Sequence, residues 1–329
     1  MRTSLRVILG TITIFIIAYI LRKIDFLEVY QILRSIKIQF FLLAFASYSL
    51  GIIIFNLRTM ISLREIIHEH DFWFFLKITM AGHFVNVITP GAQVGGEPIR
   101  AYFFGEKYNK PKTKVLGAVI ADRIFHAIVS LFFIIASLLF ILTYIPVSRE
   151  FKIIFQTALF FILVFLVLIF LLNMKKSNFN LGKFLKKIGI LRSLKSKKIR
   201  HIGQHFGNFT KSFKKTFLNK KTLFFGILFS FVYWILSYLS SYFLFLSLGI
   251  KVSFFLVIIV MSLGSLIGDF SPTPGGIGIV EGFMIFLYSI VGVSLPSAII
   301  VSLFTRLIGY FYYLVIGGAS LFHLEKTLG

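Results

Sequence analysis

Residues Thr89–Glu97 read TPGAQVGGE, and residues Thr273–Glu281 read TPGGIGIVE. Both open on T-P-G and close on Glu after five residues, in a chain of 329 residues with seven prolines. Proline lacks a backbone donor and clashes with the preceding helical turn, so helices are predicted to stop near Pro90 and Pro274. Gly91, Gly95 and Gly96, and Gly275, Gly276 and Gly278, then permit a close reversal. The likeness continues outward. A loop proline follows each phrase (Pro111, Pro296), and then an apolar segment that carries an arginine. Arg123 in VIADRIFHAI lies 26 residues after Glu97, and Arg306 in VSLFTRLIGYF lies 25 residues after Glu281. This order argues for an internal duplication with halves at about 72–145 and 252–323. The competing reading is chance likeness between two helix-breaking turns.

The solvent around these phrases is lipid. Apolar residues make up 57% of the chain, with 42 phenylalanines and 14% charged residues, whereas soluble domains average about 45–50% apolar and about 25% charged. A helix needs roughly 20 mostly apolar residues to span a bilayer. Apolar segments fall at about 5–21, 38–57, 72–89, 93–104, 114–145, 152–173, 222–248, 252–271, 277–293 and 296–322. The chain is therefore expected to be all-α, a single polytopic membrane domain over residues 1–329. The start, MRTSLRVILGTITIFIIAYILRK, has no small-residue cleavage site and reads as a retained first span.

Charge sets the orientation. Fifteen of the 35 Lys and Arg lie between Lys175 and Lys221, a stretch without an acid, which marks a cytoplasmic loop by the positive-inside rule. The net charge of +23 is thereby ascribed to membrane topology, and no nucleic-acid partner is expected. Basic clusters also attract anionic lipid. Within the loop, Ile199, Ile202, Phe206, Phe209, Phe213 and Phe217 recur at helical spacing, predicting an amphipathic helix on the inner leaflet. Counting spans from this loop places both termini in the cytoplasm. It leaves about six full spans and two re-entrant hairpins, at 72–104 and around the second phrase, entering from opposite sides. Facing broken helices in an inverted repeat are a recurrent plan of secondary transporters. Fully spanning hairpins would instead make the repeat parallel.

Arginines inside the apolar segments cost about 2.5–3.5 kcal/mol each on insertion scales, so they face a partner or a wet cavity. The acids within reach are Glu97, Asp122, Asp269 and Glu281. One reading pairs Glu97 with Arg123 and Glu281 with Arg306; a local Glu97–Arg100 pair at i,i+3 is also available. The other lines a substrate cavity with the same groups. The glycine turns leave amides at helix N-termini, which favour an anion, PGGIG being the better candidate. Other chemistry is poorly represented. Cysteine is absent, which removes disulfides and thiolate ligands. HEH at His68–His70 lacks the HExxH spacing, there is no Walker phosphate loop, and the start carries no lipidation signal. No cofactor and no metal site are expected.

These phrases resemble a known family. TPGAQVGGEPIRAYFF, ADRIFHAI, the basic loop and PTPGGIGIVEGFM are similar to the membrane domain of lysylphosphatidylglycerol synthase/flippase proteins, a family that includes stand-alone UPF0104 members. The resemblance covers about residues 5–325. It maps the family's motifs onto Glu97 and Arg100, onto Asp122 and Arg123, and onto Gly275, Gly276, Gly278 and Glu281. His126 stands where the second motif often has an acid. The chain reaches Gly329 directly after its last span, so the aminoacyltransferase half of bifunctional members is not expected. What the resemblance implies is a flippase-like translocator of phospholipid or lipid-linked headgroups in the cell membrane. Its partner would be an anionic phospholipid or polyprenyl-linked lipid, supplied by a separate lipid-modifying enzyme. The alternative is an integral membrane transferase acting on a lipid-linked donor.

Overall fold

The computed structural model describes residues 34–69, 71–89, 95–145, 148–174 and 196–328, without the side chains of 163, 165–174 and 196–203. The expected first span (5–21), Pro90, Gly91 and residues 175–195 of the basic loop lie outside the described residues. All described regular structure is helical.

The helix boundaries follow local chemistry. Helix α1 is Ile38–Leu63. Helix α2, Phe72–Ile88, begins at Asp71, whose carboxylate accepts from the amides of Trp73 and Phe74 at 3.0 and 3.1 Å. It ends at Thr89, which is extended (ψ 125°), as the residue before a proline prefers. Helix α3 (Gly96–Lys107) follows, then α4 (Lys112–Tyr144) after Pro111. Helix α5 is Arg149–Met174 and α6 is Ser196–Leu218. Asn219 caps α7 (Lys220–Ser247), and Ser253 caps α8 (Phe254–Phe270). A 3-10 turn at Pro274–Gly276 leads to α9 (Ile279–Ile290). Helix α10 (Leu295–Tyr310) continues through a π turn, Phe311–Ile316, into α11 (Gly317–Leu328).

Four of these are long and apolar enough to cross a membrane: α1, α4, α7 and the continuous Leu295–Leu328. The expected span 152–173 falls within α5. Large apolar side chains face outward as well as inward; Phe132, Phe160, Phe224 and Leu307 are all more than half exposed. Such a surface suits hydrocarbon rather than water.

The order of a long helix, a 17-residue helix, a 12-residue helix and a long helix occurs twice. Helices α1 to α4 have 26, 17, 12 and 33 residues. The later series has 28 (α7), 17 (α8), 12 (α9) and 34 (Leu295–Leu328). At 1.5 Å per residue the short helices reach about 18–25 Å, less than the roughly 30 Å hydrocarbon core. They pack pairwise as hairpins, α2 on α3 and α8 on α9. The first hairpin starts near the end of α1, where Asn56 Nδ2 donates to the Phe72 carbonyl at 3.1 Å. The second starts near the beginning of α1, where Lys37 N donates to the carbonyl of Ser247 at the end of α7, at 2.8 Å. The turn of the second reaches the end of the first: a Cβ added to Gly275 would lie 3.2 Å from Val87 Cγ1. Their bases thus lie at opposite ends of α1 and their tips meet.

Packing between the two series is reciprocal. α1 lies along α7, α8 packs on α4, and α2 packs on the π turn and α11. The tyrosines of the π turn bind α1: Tyr48 OH donates to Tyr313 OH at 2.7 Å, and the Ser49 and Tyr312 hydroxyls lie 2.5 Å apart.

Helix α6, expected as an amphipathic helix, has a protein partner. It packs against α4, where Gly117 makes room: a Cβ there would fall 2.4 Å from the Phe209 carbonyl oxygen. Phe209, Phe213 and Phe217 stack in series, and Phe217 continues onto Phe125 of α4 with centroids 5.6 Å apart. The aromatic stripe finds a protein groove. Lys211 and Lys214 stay exposed, and Lys215 pairs with Glu65 at 3.1 Å.

Candidate functional site

Where the hairpins meet, a cavity of about 900 Å³ opens between α1, α2, α3, α4, α5, α7, α8, α9 and α10. The first hairpin builds one wall. Its helices cross so closely that a Cβ on Gly96 would sit 2.1 Å from the Gly82 carbonyl oxygen. Asn86 Oδ1 accepts from the Gly96 amide at 2.6 Å and anchors the start of α3. This crossing presents Glu97 and Arg100 to the cavity, and Gly82 clears a path for the Arg100 stem.

Arg123 and Arg306 are each the twelfth residue of their helix, and each meets the acid of its own series. Arg123 donates to Glu97 Oε1. Arg306 Nε donates to Glu281 Oε1 at 2.8 Å, and its Nη2 donates to the Gly275 carbonyl at 3.0 Å. Arg306 thus ties the second turn to its long helix. Gly275, Gly276 and Gly278 adopt φ of +58°, +73° and +82°, the left-handed region in which a side chain is strained. Of these glycines, Gly275 lines the cavity; Pro274, Gly276 and Gly278 shape the turn behind it.

Two expectations are corrected. The amide of Gly278, offered by the sequence reading to an external anion, donates to Glu281 Oε2 at 2.7 Å. An acid at the third helical position reaches back to its own N-terminus, as in a capping box. Arg100 does not pair with Glu97 at i,i+3; it reaches Asp122 on α4 instead, with Nη2 3.1 Å from Oδ2.

Asp122 and Arg123, adjacent in sequence, point about 100° apart on their helix. Arg123 lines the cavity, and Asp122 faces α1, fully buried. Its carboxylate accepts from Arg58 Nε and Nη2 (2.9 and 3.3 Å), Thr59 Oγ1 (3.2 Å) and Ser62 Oγ (2.9 Å), besides Arg100. Asp269, near the end of α8, is exposed and lines the cavity.

Arg58, His83 and Asn86 line the same cavity and were not singled out from the sequence. Arg58 lies just beyond the apolar segment expected at about 38–57, yet α1 continues through it and leaves it 1% exposed. The legible signal was spacing. Thr59 and Ser62, like Thr79, His83 and Asn86, recur at intervals of three and four in otherwise apolar helices, which marks an inward polar stripe.

Several buried polar atoms of cavity residues have no hydrogen-bond partner among the described residues: His83 Nε2, Glu97 Oε2, Arg100 Nε, His126 Nδ1, Trp234 Nε1 and Tyr310 OH. Unsatisfied groups are rare inside proteins unless they face water or a ligand. Glu97, Arg100, Arg123, Asp269, Gly275 and Arg306 converge on one chamber whose wall is otherwise mostly apolar. Such an arrangement can hold a charged group at the depth of hydrocarbon.

The sequence profile described as the lysylphosphatidylglycerol synthase TM region matches residues 5–317. The chain belongs to this family. It is 29% identical over 307 residues to the UPF0104 membrane protein PH1989 of Pyrococcus horikoshii, covering 91% of each chain. It is 28% identical over 308 residues to a UPF0104 membrane protein of Methanothermobacter thermautotrophicus, covering 92% of this chain and 86% of that one. To the UPF0104 membrane protein MJ1595 of Methanocaldococcus jannaschii it is 27% identical over 330 residues, covering 98% and 95%. The family member described here is therefore a helical membrane protein, similar to these relatives across nearly their whole length.

Proposed function

We propose that this protein is a flippase-like translocator of phospholipid or lipid-linked headgroups. The observation that carries the reading is a cavity of about 900 Å³, mostly apolar but holding several arginines and acids, at the meeting point of two short helical hairpins. Moving an isolated ionised group into a medium of low dielectric costs on the order of tens of kcal/mol by Born solvation. A groove of arginines, carboxylates and amides replaces the lost water while the acyl chains stay in lipid. The volume falls within the roughly 300–1,000 Å³ of small-ligand sites, enough for a headgroup.

We further propose that the two series form an inverted repeat, with halves 38–144 and 220–328. These boundaries add α1 and α7 to the halves expected from the sequence. Hairpin bases at opposite ends of α1, matching helix lengths and two matching Glu–Arg pairs support this reading. In the cell membrane the α3–α4 and α6 side, rich in Lys, would be cytoplasmic, with both termini there. Each Glu–Arg pair then ties a hairpin to a long helix, and opening one pair at a time would expose the cavity to one leaflet.

Leaflet accessibility of fluorescent lipids in proteoliposomes tests the function. Wild type is expected to move lipid, and Glu97→Gln and Arg306→Ala to stop it without loss of folded protein. Normal movement by well-folded Arg306→Ala would sink the assignment.

A further inference from the structure

Among the described residues the chamber's charges balance in number, with Arg58, Arg100, Arg123 and Arg306 against Glu97, Asp122, Asp269 and Glu281, but not in place. Among the described residues Arg123 is paired with Glu97, and Arg306 with Glu281. At the third cluster two guanidiniums, Arg58 and Arg100, share the single carboxylate of Asp122. The cluster therefore carries one excess positive charge, with Arg58 1% and Arg100 5% exposed. A buried excess charge is costly unless something neutralises it.

The two arginines are not equivalent. All three nitrogens of Arg58 are engaged: Nε and Nη2 with Asp122, and Nη1 with Ser230 Oγ at 3.2 Å. Among the described residues Arg100 bonds through Nη2 alone, to Asp122 Oδ2 and to Thr59 Oγ1 at 2.9 Å. Among the described residues its buried Nε has no partner, and the residue lines the cavity. Arg58 thus neutralises Asp122, and Arg100 is left with charge and donor capacity to spare.

We infer that Arg100, with Arg58 and Asp122 as its positioning residues, is the anion site of the chamber and takes the phosphate group of the translocated molecule. This rests on the translocator reading and moves phosphate recognition away from the second glycine turn, whose Gly278 amide is already bonded to Glu281. Guanidinium is suited to the task, because its planar fork matches phosphate oxygens and stays charged at any working pH.

Charge counting designs the test. Arg100→Gln reduces the cluster from one excess positive charge to none and leaves Asp122 paired with Arg58, so the fold is kept. Arg58→Gln makes Arg100 the counterion of Asp122 and also removes the excess. The double variant Arg58→Gln/Asp122→Asn restores one excess charge on Arg100. The readout is fluorescence of Trp234, which lines the cavity and stacks on His126 at 4.9 Å. It is measured in purified Trp73→Phe protein in detergent, titrated with dioctanoyl phosphatidic acid, dioctanoylglycerol or inorganic phosphate.

Binding of the phosphatidic acid and not of the glyceride is expected. Arg100→Gln and Arg58→Gln should weaken it at least about tenfold, the worth of one charge-assisted hydrogen bond. The double variant should recover it. Displacement by millimolar inorganic phosphate identifies a free anion as sufficient, and failure to displace shows that the lipid moiety is needed; both outcomes keep the phosphate site. Unchanged binding in folded Arg100→Gln, or equal binding of the glyceride, overturns the inference. Fluorescent-lipid movement by the wild type separates the two readings. Movement with Arg100→Gln binding intact rejects the site alone, and phosphate binding without movement of any lipid rejects the translocator.

Discussion

Asp122→Ala removes the acid at the centre of the largest buried charge network described. The carboxylate is fully buried and accepts five hydrogen bonds, from Arg58 Nε and Nη2, Arg100 Nη2, Thr59 Oγ1 and Ser62 Oγ. Its loss leaves two guanidiniums facing each other at the cavity wall. Breaking a buried pair by deleting one partner costs about 3–5 kcal/mol, a large part of the roughly 5–15 kcal/mol that holds a typical domain together. At roughly 2 °C per kcal/mol for a chain of this size, the melting midpoint should fall by about 6–10 °C. The measurement is loss of the monodisperse peak on size exclusion after heating in detergent. Arg58→Gln is the internal comparison, because Asp122 keeps Arg100, and it should lose less than Asp122→Ala. A midpoint for Asp122→Ala within about 2 °C of wild type, or the reverse ranking, would show that the network does not hold α1, α3 and α4 together.

Further outcomes follow from single contacts. Gly96→Ala puts a methyl 2.1 Å from the Gly82 carbonyl oxygen; the hairpin must part, with a stability loss of about 1–3 kcal/mol, and a midpoint equal to wild type would refute the crossing. Arg306→Lys cannot hold both Glu281 and the Gly275 carbonyl in the geometry of a guanidinium, so lipid movement should fall at least about tenfold while folding persists; an active Lys variant would reduce Arg306 to a point charge. The chain lacks cysteine, so Lys110→Cys and Lys251→Cys can be labelled in intact vesicles by an impermeant maleimide. Opposite-sided labelling is expected from hairpins that start at opposite ends of α1, and labelling from one side rejects the inverted arrangement.

Much of this protein is written locally. Apolar runs dictate helices because hydrocarbon offers no partner for free backbone groups, and the residues before Pro90, Pro272 and Pro274 are extended, as the X–Pro clash requires. The two T-P-G phrases therefore announced where two helices would break. The intramembrane arginines and acids announced a polar chamber, because isolated charges at that depth are expensive.

Partner choice was a different matter. The acid Asp122 stands beside Arg123 in sequence and bonds to Arg58 and Arg100 in space, because neighbours on a helix point about 100° apart. Glu281 turned back to the Gly278 amide, and the phenylalanines of α6 found the groove at Gly117 rather than the lipid surface. Chain chemistry by itself determined the solvent, the helices, their breaks and the need for a polar interior, since each depends on residues within a turn or two. Only the packing of α1, α4 and the two hairpins decided which charge meets which, because those distances are set by segments 22 to 64 residues apart.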